Sequence, residues 1–73
     1  MKKKIAILGS TGSIGEFTLE VIRKDKKNFD VILLTANNNY KKLIQQAKEF
    51  DAENVLIGNK NFYEKVKNSL KKK

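Results

Sequence analysis

The most restrictive feature of this sequence is a hydrophobic period that changes from strand-like to helix-like three times. Short, unbroken apolar runs at residues 4–9, 30–35 and 54–58 each precede a stretch in which apolar residues recur at helical spacing. This alternation predicts the element order β-α-β-α-β-α. The residues of the three predicted helical stripes are Ile14, Phe17, Thr18, Val21 and Ile22, then Tyr40, Leu43, Ile44 and Ala47, then Phe62, Val66, Ser69 and Leu70.

Unbroken apolar strands that alternate with helices are typical of a parallel sheet covered on both faces. Right-handed crossovers place the second strand beside the first and the third strand beyond it, in the order 3-2-1. The sequence therefore predicts a three-layer α/β/α Rossmann-like half-domain. The other half of such a domain adds strands beyond the first. We therefore expect residues 1–73 to be the N-terminal part of a nucleotide-binding domain and a fragment of a longer protein.

The composition argues against several other classes of protein. The chain has 73 residues with neither Cys nor His, which excludes disulfides and a Cys/His zinc site. The apolar run after the N-terminal lysines is too short for a secretory signal or a membrane span, so we expect a cytoplasmic protein with no membrane partner. The net charge of +8 is dispersed and includes one Arg, which favours solvated lysine faces over a nucleic-acid partner.

A glycine-rich turn joins the first predicted strand to the first predicted helix. Gly9, Gly12 and Gly15 are three of only four glycines in the chain. In a β-α-β context this spacing predicts a tight turn at Gly9, close approach of a diphosphate at Gly12 and close helix packing at Gly15. Backbone amides of residues 11–14 would then face an anion from the positive end of the helix dipole.

A turn without a ligand is the alternative explanation for this stretch. Ser13 and Glu16 fit a capping box, which would satisfy the start of the helix by itself. A cap and a ligand can also coexist, and the position of the loop after a strand favours the nucleotide.

The segment after the second strand indicates which dinucleotide would bind. NAD-binding domains carry an Asp or Glu there for the ribose 2′-hydroxyl, whereas this chain has Asn37, Asn38 and Asn39, followed by Lys41 and Lys42. Amide donors and lysines suit a 2′-phosphate, so the sequence predicts NADPH. Asn39 is also well placed to cap the second helix, so the interpretations are ligand contact together with capping, or turn and capping chemistry alone.

The acidic residues give no sign of a catalytic or metal-binding set. They are scattered along the predicted helices and at the ends of elements, without the convergence that a metal or an acid/base pair requires. We therefore predict no catalytic residue and no metal ligand in this chain. The eight acidic residues are Glu16, Glu20, Asp25, Asp30, Glu49, Asp51, Glu53 and Glu64.

Several segments together resemble the amino-terminal end of the 1-deoxy-D-xylulose 5-phosphate reductoisomerase family. The resemblance spans almost the whole chain and is far more specific than the glycine loop, which other enzymes share. It is carried by ILGSTGSIG at residues 7–15, TLEVI at 18–22, FDV at 29–31, LTA at 34–36 with Asn39, and residues 46–50.

The resemblance implies an NADPH-dependent oxidoreductase of the methylerythritol phosphate route to isoprenoids. Such an enzyme rearranges 1-deoxy-D-xylulose 5-phosphate, its small-molecule substrate, and reduces the product to 2-C-methyl-D-erythritol 4-phosphate. The resemblance also implies that Mg²⁺ or Mn²⁺ is bound, and that its ligands and the catalytic residues lie in the remainder of the polypeptide beyond residue 73. It further implies that the full-length enzyme is a homodimer. The other function class that fits the sequence is a free-standing nucleotide-binding or regulatory module without catalysis.

The resemblance also implies which positions touch the cofactor. Many relatives carry Gly-Lys-Asn where this chain has three asparagines, so Lys41 or Lys42 is our candidate for the charge partner of the 2′-phosphate. The implied cofactor-binding residues are Thr11, Gly12, Ser13, Ile14, Asn37, Asn38 and Asn39.

Overall fold

The computed structural model describes residues 2–70 and contains three strands and three α-helices in the predicted order. Short 3₁₀ turns at Lys26–Asn28 and Lys60–Phe62 precede β2 and α3. No helix among these residues is long and apolar enough to cross a bilayer. The strands and helices are β1 (Lys3–Ile7), α1 (Ser13–Arg23), β2 (Phe29–Ala36), α2 (Tyr40–Phe50), β3 (Asn54–Ile57) and α3 (Tyr63–Leu70).

The three strands form one parallel sheet with β2 in the middle. Ile7 of β1 pairs with Leu34, and Ile57 of β3 pairs with Ala36, so the carboxyl ends of all three strands lie at the same edge. The register between β1 and β2 shifts after Ile5. Among residues 2–70, the other edge of β1 has no strand partner.

The helices pack on one face of this sheet. Ion pairs join α1 to α2, the rings of Tyr40 and Phe62 stack with centroids 4.5 Å apart, and one core joins all three helices to the strands. The opposite face is open, with Leu56 of β3 61% exposed. The described residues therefore form two of the three predicted layers. The buried core residues are Ile7, Leu19, Ile22, Val31, Leu34, Ala36, Leu43, Ala47, Ile57 and Val66.

The buried face of α1 differs from the predicted stripe. Of the five stripe residues only Ile22 is buried, whereas Ile14 is 83% and Phe17 66% exposed. Gly15, Leu19 and Ile22 face the sheet instead. The prediction was wrong because α1 carries two apolar stripes, and close packing at Gly15 selects the one that faces inward.

The carboxyl-terminal end of α1 is fixed to the end of α2 by a charged pair. The Arg23 guanidinium binds the Glu49 carboxylate through two hydrogen bonds, one of them 2.8 Å from Nη2 to Oε1. The Arg23 guanidinium also lies 5.4 Å from the centre of the Phe50 ring. The hydrogen bond from Arg23, partly opposed by desolvation, lowers the pKa of Glu49 below its ordinary value.

This pair makes the stability of the fold sensitive to acid. Because the pKa of Glu49 is lowered by folding, its contribution is present above the pKa of the unfolded chain and is lost as pH falls through the folded value. We expect the Glu49→Gln variant to lose less stability than the wild type between pH 6 and pH 3 in thermal unfolding. Glu53→Gln is the control, since Glu53 makes no ion pair within residues 2–70. Parallel pH profiles for the wild type and Glu49→Gln would contradict the assignment.

Candidate functional site

Each of the three glycines of the loop occupies its position for a different structural reason. Gly9 has φ of +69°, a left-handed conformation that side chains rarely adopt. Gly15 is buried, and a Cβ there would lie 2.6 Å from the Cα of Ser10 and against the carbonyl oxygen of Gly9. At Gly12 a Cβ would meet only the Gly9 carbonyl oxygen, at 3.5 Å, so this position leaves bare backbone at the surface.

Free backbone amides lie at the start of α1. Among residues 2–70, the N–H groups of Thr11, Ser13 and Ile14 have no hydrogen-bond partner. The N–H of Gly12, which the sequence analysis included, instead donates to the carbonyl of Gly9 at 3.0 Å and closes the turn. Three of the four expected amides are therefore available to an anion at the positive end of the helix dipole.

The capping box of the alternative explanation does not form among residues 2–70. The N-cap of α1 is Gly12, which has no side chain to cap the helix, and Ser13 is already the first helical residue. A capping box needs the serine at the N-cap itself, one position earlier. Glu16, the other half of the expected box, pairs with Lys42 of α2. Within the described part of the chain, no side chain therefore accepts from the first amides of α1.

The loop rests on a buried polar cluster that the sequence analysis missed. Ser10 is fully buried and Gln46 of α2 is 7% exposed. The Ser10 hydroxyl donates to Gln46 Oε1 at 2.7 Å, and Gln46 Nε2 donates to the Ser10 carbonyl at 2.9 Å. Thr35, near the end of β2, accepts from the Ser10 N–H at 2.8 Å. The one sequence feature that indicated a buried amide was the position of Gln46 between Leu43 and Ala47, two apolar residues of the predicted helical stripe.

The asparagines after β2 make contacts within the protein. Asn39 is the N-cap of α2, its Oδ1 accepting from the N–H of Lys42 at 3.3 Å, which confirms the capping interpretation for this residue. The Asn38 Oδ1 accepts from Asn59 Nδ2 at 2.9 Å. The Asn37 side chain lies close to Gly58, since a Cβ added at Gly58 would be 2.6 Å from Asn37 Oδ1. All three asparagines are nevertheless exposed at the carboxyl edge of the sheet.

The two candidate lysines have different surroundings. The ammonium of Lys42 pairs with Glu16 in the first turn of α1, which brings a positive charge to the side of the glycine loop. Lys41 is exposed and makes no ion pair within the described part of the chain.

A cleft of about 520 Å³ lies between the carboxyl end of β1 and the start of α1. Gly9, Gly12, Ile14 and Thr18 are among its lining residues, and it opens beside the unpaired edge of β1. Crevices at the carboxyl ends of parallel strands are the usual ligand sites of open α/β sheets. Within residues 2–70 there is no group of three or more carboxylates that could hold a metal ion.

A parallel β-α-β unit with a glycine turn at the start of its first helix defines the Rossmann-like α/β class. The family model described as 1-deoxy-D-xylulose 5-phosphate reductoisomerase matches residues 5–73. The chain belongs to this family.

Individual relatives carry the same name. The chain is 56% identical to the reductoisomerase of Pelagibacter ubique over 84% of its length, and 54% identical to that of Porphyromonas gingivalis over 96%. The solved reductoisomerase of Zymomonas mobilis in complex with NADPH is 37% identical over 96% of this chain, with a TM-score of 0.93. The chain spans only 16–18% of the length of these relatives.

The contacts of the glycines predict losses of stability of different size for two similar substitutions. Gly15→Ala forces a methyl group into the backbone of Gly9 and Ser10, so we expect it to lower the free energy of unfolding by at least about 2 kcal/mol. Gly12→Ala, with φ of −81° and open space, should cost less than about 1 kcal/mol. Denaturant unfolding without nucleotide measures both. Equal losses would contradict the role of Gly15 in helix packing.

Proposed function

We propose that this chain is the NADPH-binding segment of a 1-deoxy-D-xylulose 5-phosphate reductoisomerase. In the complete enzyme, residues 1–73 would form the N-terminal part of the cofactor domain. The observation that carries the proposal is the row of free amides at a glycine turn, in a chain 37% identical in sequence to a reductoisomerase solved with NADPH.

The glycine loop would hold the diphosphate of the cofactor. The amides of Thr11, Ser13 and Ile14, which have no partner within residues 2–70, would donate hydrogen bonds to it at the positive end of α1. Gly12 contributes by having no side chain, so that phosphate oxygens reach the backbone. The residues present therefore fit a diphosphate, since among residues 2–70 these donors have no partner and a Cβ at Gly12 would meet only the Gly9 carbonyl oxygen.

The adenosine end would lie over the segment after β2. Asn37, Asn38 and Asn39 are exposed there, and the segment from residue 34 to residue 42 itself contains no Asp or Glu that would repel a 2′-phosphate. Lys42 is fixed next to the loop by Glu16, and Lys41 is exposed to solvent. Either ammonium could neutralise the 2′-phosphate, and this charge would select NADPH over NADH.

When bound, NADPH supplies the hydride for the reduction. This segment would position the cofactor, and residues beyond position 73 would supply the substrate pocket and the carboxylates for Mg²⁺ or Mn²⁺. The complete enzyme would convert 1-deoxy-D-xylulose 5-phosphate to 2-C-methyl-D-erythritol 4-phosphate, act as a homodimer and reside in the cytoplasm. The unpaired edge of β1 and the open face of the sheet support further strands and helices joining this unit.

Charge reversal at the two lysines tests the cofactor preference. In the full reading frame that contains this chain, we expect Lys41→Glu/Lys42→Glu to weaken NADPH binding at least about tenfold while changing NADH binding less than about twofold, because only NADPH carries the 2′-phosphate. Fluorescence titration measures both affinities. Lys48→Glu is the control, since this exposed residue lies in the last turn of α2, away from the loop.

Three results would overturn parts of the proposal. Equal affinity of the wild type for NADPH and NADH would remove the 2′-phosphate assignment. Unchanged NADPH affinity in the double variant would exclude both lysines. Binding of NADPH by the complete protein without turnover of 1-deoxy-D-xylulose 5-phosphate would favour a free-standing binding module.

A further inference from the structure

We propose that Gln46 is a positioning residue that aims the Thr11 amide at the diphosphate. This inference rests on the proposed function, because it assigns a role to a side chain that lies behind the glycine loop and faces no ligand. The residue is on α2, 36 positions from its partner Ser10, and its amide is buried.

One peptide group connects Gln46 to the Thr11 amide. The carbonyl of Ser10 and the N–H of Thr11 belong to the same peptide plane, and residues 2–70 contain no cis peptide bond. In a trans peptide these two groups point in opposite directions. Gln46 Nε2 donates to the Ser10 carbonyl at 2.9 Å from the inside of the protein. The Thr11 N–H is therefore directed away from Gln46, towards the outside of the loop, where it has no partner within residues 2–70.

The geometry requires an amide at this position. Gln46 donates to the Ser10 carbonyl through Nε2 and accepts from the Ser10 hydroxyl through Oε1. A carboxylate offers no donor for the carbonyl, and an apolar side chain of equal length satisfies neither group. Because the cluster is buried, either change leaves the Ser10 carbonyl without its donor, whereas the Ser10 hydroxyl can still donate to the Thr35 carbonyl at 3.3 Å.

The same cluster fixes the loop from its other side. Thr35 accepts from the Ser10 N–H through its carbonyl and from the Gly9 N–H through Oγ1, at 2.8 and 2.9 Å. Ser10 is thus held between β2 and α2. The helix that carries Gln46 begins at the asparagine segment, so the cluster also sets the spacing between the two proposed phosphate-binding regions.

The test compares two variants of Gln46 with the same two variants of Gln45. Gln45 is the neighbouring residue on α2 and is exposed, so Gln45→Met and Gln45→Glu are matched controls. All four are made in the full reading frame. We expect Gln46→Met to raise the NADPH dissociation constant and the KM for NADPH about tenfold, with kcat at saturating NADPH changed less than about twofold, because one anchored donor is lost. The Gln45 variants should stay within about twofold of the wild type.

Gln46→Glu gives a readout that a purely structural role would not produce. A buried carboxyl group has a raised pKa, and its neutral form can donate to the Ser10 carbonyl as the native amide does. We expect NADP⁺ affinity of this variant, relative to wild type at the same pH, to be near normal at pH 5 and to fall at least about tenfold by pH 8. NADP⁺ is the probe because it is stable in acid.

The outcomes separate this inference from the proposed function. If the wild type fails to bind NADPH, the proposed function is wrong. If the wild type binds but the Gln46 variants lose only thermal stability, with NADPH affinity and its pH profile unchanged, Gln46 is purely structural and the inference is overturned. A pH-dependent loss confined to Gln46→Glu supports it.

Discussion

Close contact between α1 and the turn before it is the constraint on which the rest of the structure depends. Gly15 lies directly against the backbone of Gly9 and Ser10, closer than any side chain would permit. This contact fixes the rotation of α1, so that Leu19 and Ile22 enter the core and Ile14 and Phe17 remain outside. It also sets the start of the helix beside the end of β1, where its free amides meet the cleft.

Buried hydrogen bonds behind the glycine loop hold it rigidly in place. Ser10 is buried beneath the loop and joined by hydrogen bonds to Gln46 and Thr35. These bonds are made away from water, where an unpaired polar group is costly, so each one restricts the backbone of the loop. A loop held in this way keeps its outward N–H groups in place before a ligand arrives, which lowers the entropic cost of binding.

The two ends of the proposed cofactor site are linked through α2. Asn39 caps its first turn, Lys42 pairs with Glu16 of α1, and Gln46 reaches the glycine loop one turn further on. The pair of Arg23 and Glu49 then fixes the far ends of α1 and α2 to each other. One helix therefore carries an asparagine cap, a candidate charge partner and the support of the loop.

The sequence by itself determined the order of the elements, the parallel sheet and the glycine turn, because these follow from hydrophobic period and from residue types with restricted conformations. It also placed the cap at Asn39. Only the tertiary structure decided which stripe of α1 is buried, that Gly12 rather than Ser13 is the N-cap, and that Gln46 holds Ser10. The first two depend on how the turn at residues 9–12 closes and packs against Gly15, and the third on the approach of two segments 36 positions apart. Hydrophobic period and residue type do not specify either kind of contact.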